Sequence, residues 1–154
     1  MSGMDQWSAP ANAARVEVPL RFSDMDALGH INNIAFISIM QEARIEAFDR
    51  WGAEDLHTWR YLVVKHEVEY FVPLAYAVGV ALVDVWIERV GNSSVKTVQV
   101  VRSVGADGGE VVHAAMVTTS VYVSESGESS MRIGDEARAV LCAHMAAGVR
   151  EGER

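Results

Sequence analysis

The sequence contains one cysteine, Cys142, in 154 residues. A lone thiol excludes an internal disulfide and any zinc site built on several cysteines. The five histidines show no His-x-x-x-His or His-Glu-x-x-His spacing, so no metal-ligand motif is present. Basic residues are scarce, 13 against 21 acidic ones, and the net charge is −8. A general nucleic-acid binder needs a cationic surface and is excluded. No apolar run approaches the length of a membrane span. The longest, Val78–Val85, is broken by Asp84 and reads as a strand. A basic-then-apolar leader pattern is missing at the N-terminus, so a cytoplasmic protein without membrane insertion is expected. The Gly-x-Ser-x-Gly elbow, the Gly-x-Gly-x-x-Gly turn and the P-loop are all lacking, which removes serine hydrolases and the common nucleotide-binding classes.

Half of the residues are hydrophobic, enough for one compact core and too few residues for two domains. So apolar a small chain is expected to bury surface between subunits. Residues 1–13 read as a flexible tail, 14–147 as a single domain and 148–154 as a second tail. Trp7 is out of place in the first tail and is expected to pack locally.

Arg15–Phe22 alternates, with Val16, Val18, Leu20 and Phe22 on one face, and reads as a strand near a sheet edge because of Pro19. A polar loop, Ser23–Asn33, follows. The period then changes: Ile37, Met40, Ala43/Arg44, Ala47/Phe48 and Trp51 recur at helical spacing. Asn32 or Asn33 can cap the start and Gly52 can close the end, which predicts a helix over 33–51. Tyr61–Phe71, Val78–Val90, Val95–Val104 and Val111–Val123 read as strands. The last three are joined by the turns at Gly91–Ser94 and Gly105–Gly109 and form an antiparallel meander. Ile133–Met145 has the spacing of a short terminal helix. The fold class is α+β: a curved antiparallel sheet around one long helix.

The segment richest in chemistry is Asp24-Met25-Asp26-Ala27-Leu28-Gly29-His30-Ile31-Asn32-Asn33. It brings carboxylates, an imidazole and amides to a helix start, whose unpaired N–H groups suit a developing oxyanion. A carboxylate there can activate water or attack a carbonyl. The same residues also suit a plain capped turn. A magnesium pair at Asp24 and Asp26 lacks a third carboxylate. Asp24 also suits a loop-holding role through backbone N–H groups. His57 falls in the linker after the helix, His66 and His113 in strands, and His144 in the terminal helix. Cys142 reads as apolar filler.

The run R-F-S-D-M-D-A-L-G-H-I-N-N, with Gln41–Arg44 (Q-E-A-R) in the following helix, resembles the 4-hydroxybenzoyl-CoA thioesterase-like branch of the hotdog-fold superfamily. Val63–Leu74 resembles that family's second strand, which ends in Tyr-x-x-Pro, and Arg89–Ser94 resembles its Gly-x-Ser-Ser turn. The resemblance covers about residues 15–145. It implies a hotdog fold and hydrolysis of an acyl-CoA thioester without metal or bound cofactor. It assigns catalysis to Asp26, as general base or nucleophile, and the oxyanion donor to the backbone N–H of Asn33. His30 pairs with Gly29 in its Gly-His element and would orient substrate or water. Ser93 and Ser94 would approach the coenzyme. Phe36, Ile37 and Met40 would line an acyl tunnel together with partner strands.

The resemblance further implies a homodimer or homotetramer with the site between one protomer's helix start and the other's strands. It leans toward a fatty rather than an aromatic acyl group. The competing reading is a non-catalytic acyl-binding hotdog module. Asp26 speaks against that, because an acyl tunnel needs no carboxylate beside the thioester. A hotdog dehydratase would want a different His/Asp motif on the helix.

Overall fold

The computed structural model describes residues 5–52 and 60–147. His57 lies outside them. The chain runs through β1 (Ala14–Pro19), α1 (Asn33–Trp51), β2 (Tyr61–Tyr70), β3 (Val80–Val90), β4 (Ser94–Val104), β5 (Glu110–Tyr122) and α2 (Asp135–Ala143). The five strands form one antiparallel sheet in the order β1-β3-β4-β5-β2. The meander occupies the centre, and β1 and β2 are its two edges.

α1 begins where expected because Asn32 accepts the Ala35 N–H at 2.8 Å. It ends at Gly52, whose φ of 79° is the left-handed conformation that glycine adopts without a Cβ penalty. It packs across one face of the sheet. Ala35, Phe36, Ile39, Met40, Ala43 and Ala47 meet Val16, Val18, Val83, Val85, Val101 and Met116. A second cluster closes the far end of the helix, where Phe48 meets Val90, Val95 and Tyr122 together with Ile133, Ala137 and Leu141 beside and on α2.

Three local expectations differ. The first strand stops at Pro19, and Phe22 turns out of it into a short 3-10 turn, 73% exposed, its ring edge-on to Tyr76. The Leu20 N–H goes to the Gly79 carbonyl instead of to a continued ladder. Second, Ile37 and Trp51 are only half-buried, because Ala35 and Ile39 take the inner face.

Third, Trp7, expected to pack locally, packs across the sheet instead, over the outer face of β3 where Asp84 and Trp86 are buried. Trp7 covers this outer face with Trp86, Val98, Val100 and Ala115. Beside them Asp84 takes hydrogen bonds from Arg15 (2.7 Å) and Arg102 (2.7 Å). Burial pushes the Asp84 carboxyl up, but these two guanidinium groups outweigh it and hold it below the usual carboxylate range.

Candidate active site

The loop between β1 and α1 is built around Asp24. Its carboxylate is buried and accepts the Arg21 backbone N–H at 2.9 Å and the Arg21 Nη2 at 2.9 Å. Its backbone carbonyl accepts the Asn32 N–H and the Asn32 amide, at 2.8 and 3.0 Å. Burial raises the Asp24 carboxyl, and the Arg21 hydrogen bonds and charge bring it below its ordinary value. Asp24 therefore fixes the helix cap from behind.

Asp26 lies on the opposite side of the loop, exposed to solvent. Its Oδ1 accepts the backbone N–H groups of Leu28 (2.8 Å) and His30 (3.1 Å), which fixes the carboxylate's direction. The turn closes through Gly29, whose φ of 76° requires glycine. The next segment holds the loop in register: Gly29 accepts the Tyr76 N–H at 2.9 Å, and the Ile31 N–H reaches the Leu74 carbonyl at 2.8 Å. Asp26 Oδ2 makes no hydrogen bond among the described residues.

Asn33 and Ile34 are the first residues of α1, and their backbone N–H groups find no acceptor among the described residues. An open pocket of about 540 Å³ is lined by Asp26, Asn32, Asn33 and Ile34. A carboxylate and unpaired helix-start N–H groups thus face one space, the pairing that a reaction building negative charge on a carbonyl oxygen needs. Ile34, on its wall, is 78% exposed.

The other expected residues fall in different places. His30 is joined to Asp26 through the backbone, and its half-buried imidazole makes no hydrogen bond among the described residues. Phe36 is buried under the helix start, its ring 5.7 Å from that of Tyr70. Ser93 and Ser94 are remote. The Ser93 carbonyl accepts the Tyr122 N–H at 2.7 Å, in the cluster around Phe48 at the far end of α1. A helix of this length spans about 28 Å, so one chain does not bring these serines to Asp26.

Tyr70 is a site residue that sequence reasoning misses. Its hydroxyl donates to the Asn33 carbonyl at 2.8 Å, and burial pushes its phenol above the ordinary value, so it stays a neutral donor. The Tyr-x-x-Pro run carries the only sequence signal for it. Among the described residues no three His, Cys, Asp or Glu side chains gather as a metal site would require.

A long helix held by five antiparallel strands, with a short terminal helix, is the hotdog fold, and its helix start carries the pocket. The chain belongs to the thioesterase-like superfamily, whose family model matches residues 20–149, and it is a thioester hydrolase. Among solved structures it is similar to a thioesterase from Thermus thermophilus complexed with coenzyme A and Zn. The two are 29% identical over 86% of this chain and 92% of that one, with a TM-score of 0.70. A predicted thioesterase from Bacillus stearothermophilus is 26% identical over 86% and 96% of the two chains, with a TM-score of 0.72. A mutant 4-hydroxybenzoyl-CoA thioesterase complexed with 4-hydroxybenzoyl-CoA shares the fold, with a TM-score of 0.74 at 12% identity over 85% and 99%. No curated protein matches the chain.

Proposed function

We propose that the protein hydrolyses a fatty acyl-CoA thioester in the pocket between Asp26 and the start of α1. The observation that carries this reading is the shared pocket itself, with the Asp26 carboxylate and the unpaired N–H of Asn33 on its walls. The thioester carbonyl oxygen accepts the Asn33 N–H. Asp26 removes a proton from water, whose oxygen adds to the carbonyl carbon. The tetrahedral intermediate expels the sulfur, which takes that proton and leaves as the CoA thiol, and the acid remains. A direct attack by Asp26 gives a mixed anhydride that water then opens, with the same overall balance. His30 lies beside this path through its backbone tie to Asp26 and orients water or substrate. The exposed apolar side chain of Ile34 on the pocket wall supports a fatty acyl group.

The reading includes a dimer. Among the described residues β2 pairs with β5 on one side only, and most of its residues are exposed, including Leu62, Val63, Val64 and Tyr70. An unpaired edge of this length is a liability unless it is covered. Antiparallel pairing of β2 with its copy sets the Tyr70 end of one strand beside the Tyr61 end of the other. Tyr61 pairs with Tyr122, whose N–H is held by Ser93. The partner subunit's Ser93 and Ser94 would thereby approach Asp26, as the remote serines require if they contact the coenzyme.

The test is free-thiol release from a panel of acyl-CoA esters of graded chain length and of benzoyl type. Turnover that rises with aliphatic length supports the reading. Tight binding of esters without thiol release would favour the acyl-binding module.

A further inference from the structure

Among the described residues Arg44 has no carboxylate in ion-pair range. It lies on the sheet-facing side of α1, 6% exposed, its guanidinium 6.0 Å from the centre of the Phe48 ring, and burial holds it below its ordinary pKa. Among the described residues its guanidinium makes one hydrogen bond, from Nη1 to Ser120 Oγ at 3.3 Å, and Nε is buried without a partner. Around it, on the same face of the sheet, stand Thr97, Gln99, Thr118 and His66. Thr118 donates to Gln99 Oε1 at 3.1 Å and meets His66 Nδ1 at 3.1 Å, which leaves Gln99 Nε2 and Thr97 Oγ1 buried and unpaired. Burial, and then the Arg44 charge, hold the His66 imidazole below its ordinary range, so it adds no second cation. The uncommitted atoms are donors, with the Thr97 hydroxyl able to act either way. Such a cluster is costly unless an acceptor, best an anion, completes it.

The cluster lies in line with the candidate site. Arg44 follows Asn33 by eleven residues, three turns along nearly the same helix face and about 16 Å away. α1 runs antiparallel to β2, with Asn33 and Phe36 against Tyr70 at one end and Arg44 near His66 further on. Four strand residues from Tyr70 to His66 span about 13 Å, so the two rulers agree. α1 packs against β1, β3, β4 and β5, and it meets β2 through side chains at the two ends of the strand, Asn33 and Phe36 at Tyr70 and Phe48 at Tyr61. The seam between them is apolar in its middle, at the half-buried Ile37 and Val68.

Resting on the thioesterase reading, we propose that this seam takes the acyl chain and that Arg44, with Gln99 and Thr97, binds a carboxylate at its distal end. The preferred substrate is then a dicarboxylic acid carried on CoA through one of its two carboxyl groups. A guanidinium meets a carboxylate through two parallel hydrogen bonds, which a methyl terminus cannot replace.

The experiment compares kcat/KM for ω-carboxyacyl-CoA and plain acyl-CoA esters of equal carbon number across a length series. At the length that reaches Arg44, the ω-carboxy ester is expected to be favoured by about ten- to hundredfold, the range of a charge-assisted hydrogen bond. Arg44→Met should collapse that ratio. Gln99→Leu, of similar size and apolar, should lower it independently. Preference for the plain ester at every length overturns the proposal. So does a ratio unchanged in both variants, including the case in which Arg44→Met only splits the oligomer. Calorimetric titration of non-hydrolysable thioether analogues of the same pair reads the end-site apart from turnover. A carboxylate preference there, with no hydrolysis of either ester, would uphold the end-site and overturn the thioesterase reading. Equal binding of the two analogues would overturn the end-site.

Discussion

The Asp24 carboxylate is buried and takes its hydrogen bonds from Arg21, whereas Asp26, two residues on, is exposed and keeps Oδ2 uncommitted. Asp24→Asn should therefore cost stability, by less than a fully buried pair would because the Arg21 partner is exposed and screened by solvent, measured by urea denaturation at neutral pH. The Asp24 carboxyl is held below its unfolded value. Its contribution is thus fully present above the unfolded pKa of about 3.9 and is lost as pH falls through the lower, folded one. The gap in melting temperature between wild type and Asp24→Asn should shrink below about pH 4. A gap that widens on acidification would reverse the sign of this argument. The Asn32 cap is a separate term, and Asn32→Ala should cost about 1 kcal/mol. At this scale the sequence is legible where a residue's role is local. The cap at Asn32, the glycine at 29 and the carboxylate at 26 all act through neighbours a few positions away. Tyr70 and the Arg44 cluster are not legible, because their partners are 37 and 76 residues distant.

At the scale of elements, α1 and the meander follow from period and turn chemistry, and their bounds fall within a few residues of those expected. The failures lie at elements whose environment is set by a distant segment. Phe22 continues the alternation of β1, but Pro19 and the Gly79 carbonyl end the ladder first. Trp7 is expected to pack locally, but it covers Asp84 and Trp86 on the outer face of β3, with Arg15, Arg102 and Glu110 around the carboxylate. Trp7→Ala should then cost about 3 kcal/mol, the range for removing a buried aromatic ring. A loss near zero in chemical denaturation would mean that the N-terminal segment does not stabilise the outer face.

At the scale of the whole molecule, a second copy of the chain completes the candidate site in the proposed reading. The pocket at Asp26 is open, and Ser93 and Ser94 sit at the other end of α1. The exposed, unpaired edge of β2 supplies the way to close it. Val64 stands at the bulge in that edge, 62% exposed, and Val64→Lys places a charge where a copy would pair. The variant should sediment as a monomer and lose about a hundredfold in kcat/KM, the scale of misplaced reacting groups. A monomer with full activity would refute the shared site.

In the proposed mechanism Asp26 carries the chemistry at a helix start that receives the carbonyl oxygen. The most direct measurement is kcat for the best acyl-CoA ester in wild type and Asp26→Asn, with binding of a non-hydrolysable analogue measured in both. Asparagine keeps the shape and can still accept the Leu28 and His30 N–H groups through its carbonyl oxygen, while the charge and basicity are gone. The account predicts a loss in kcat of about 10²–10⁴-fold, the usual worth of a positioned acid–base group, with binding little changed. Near-full turnover by Asp26→Asn would contradict it.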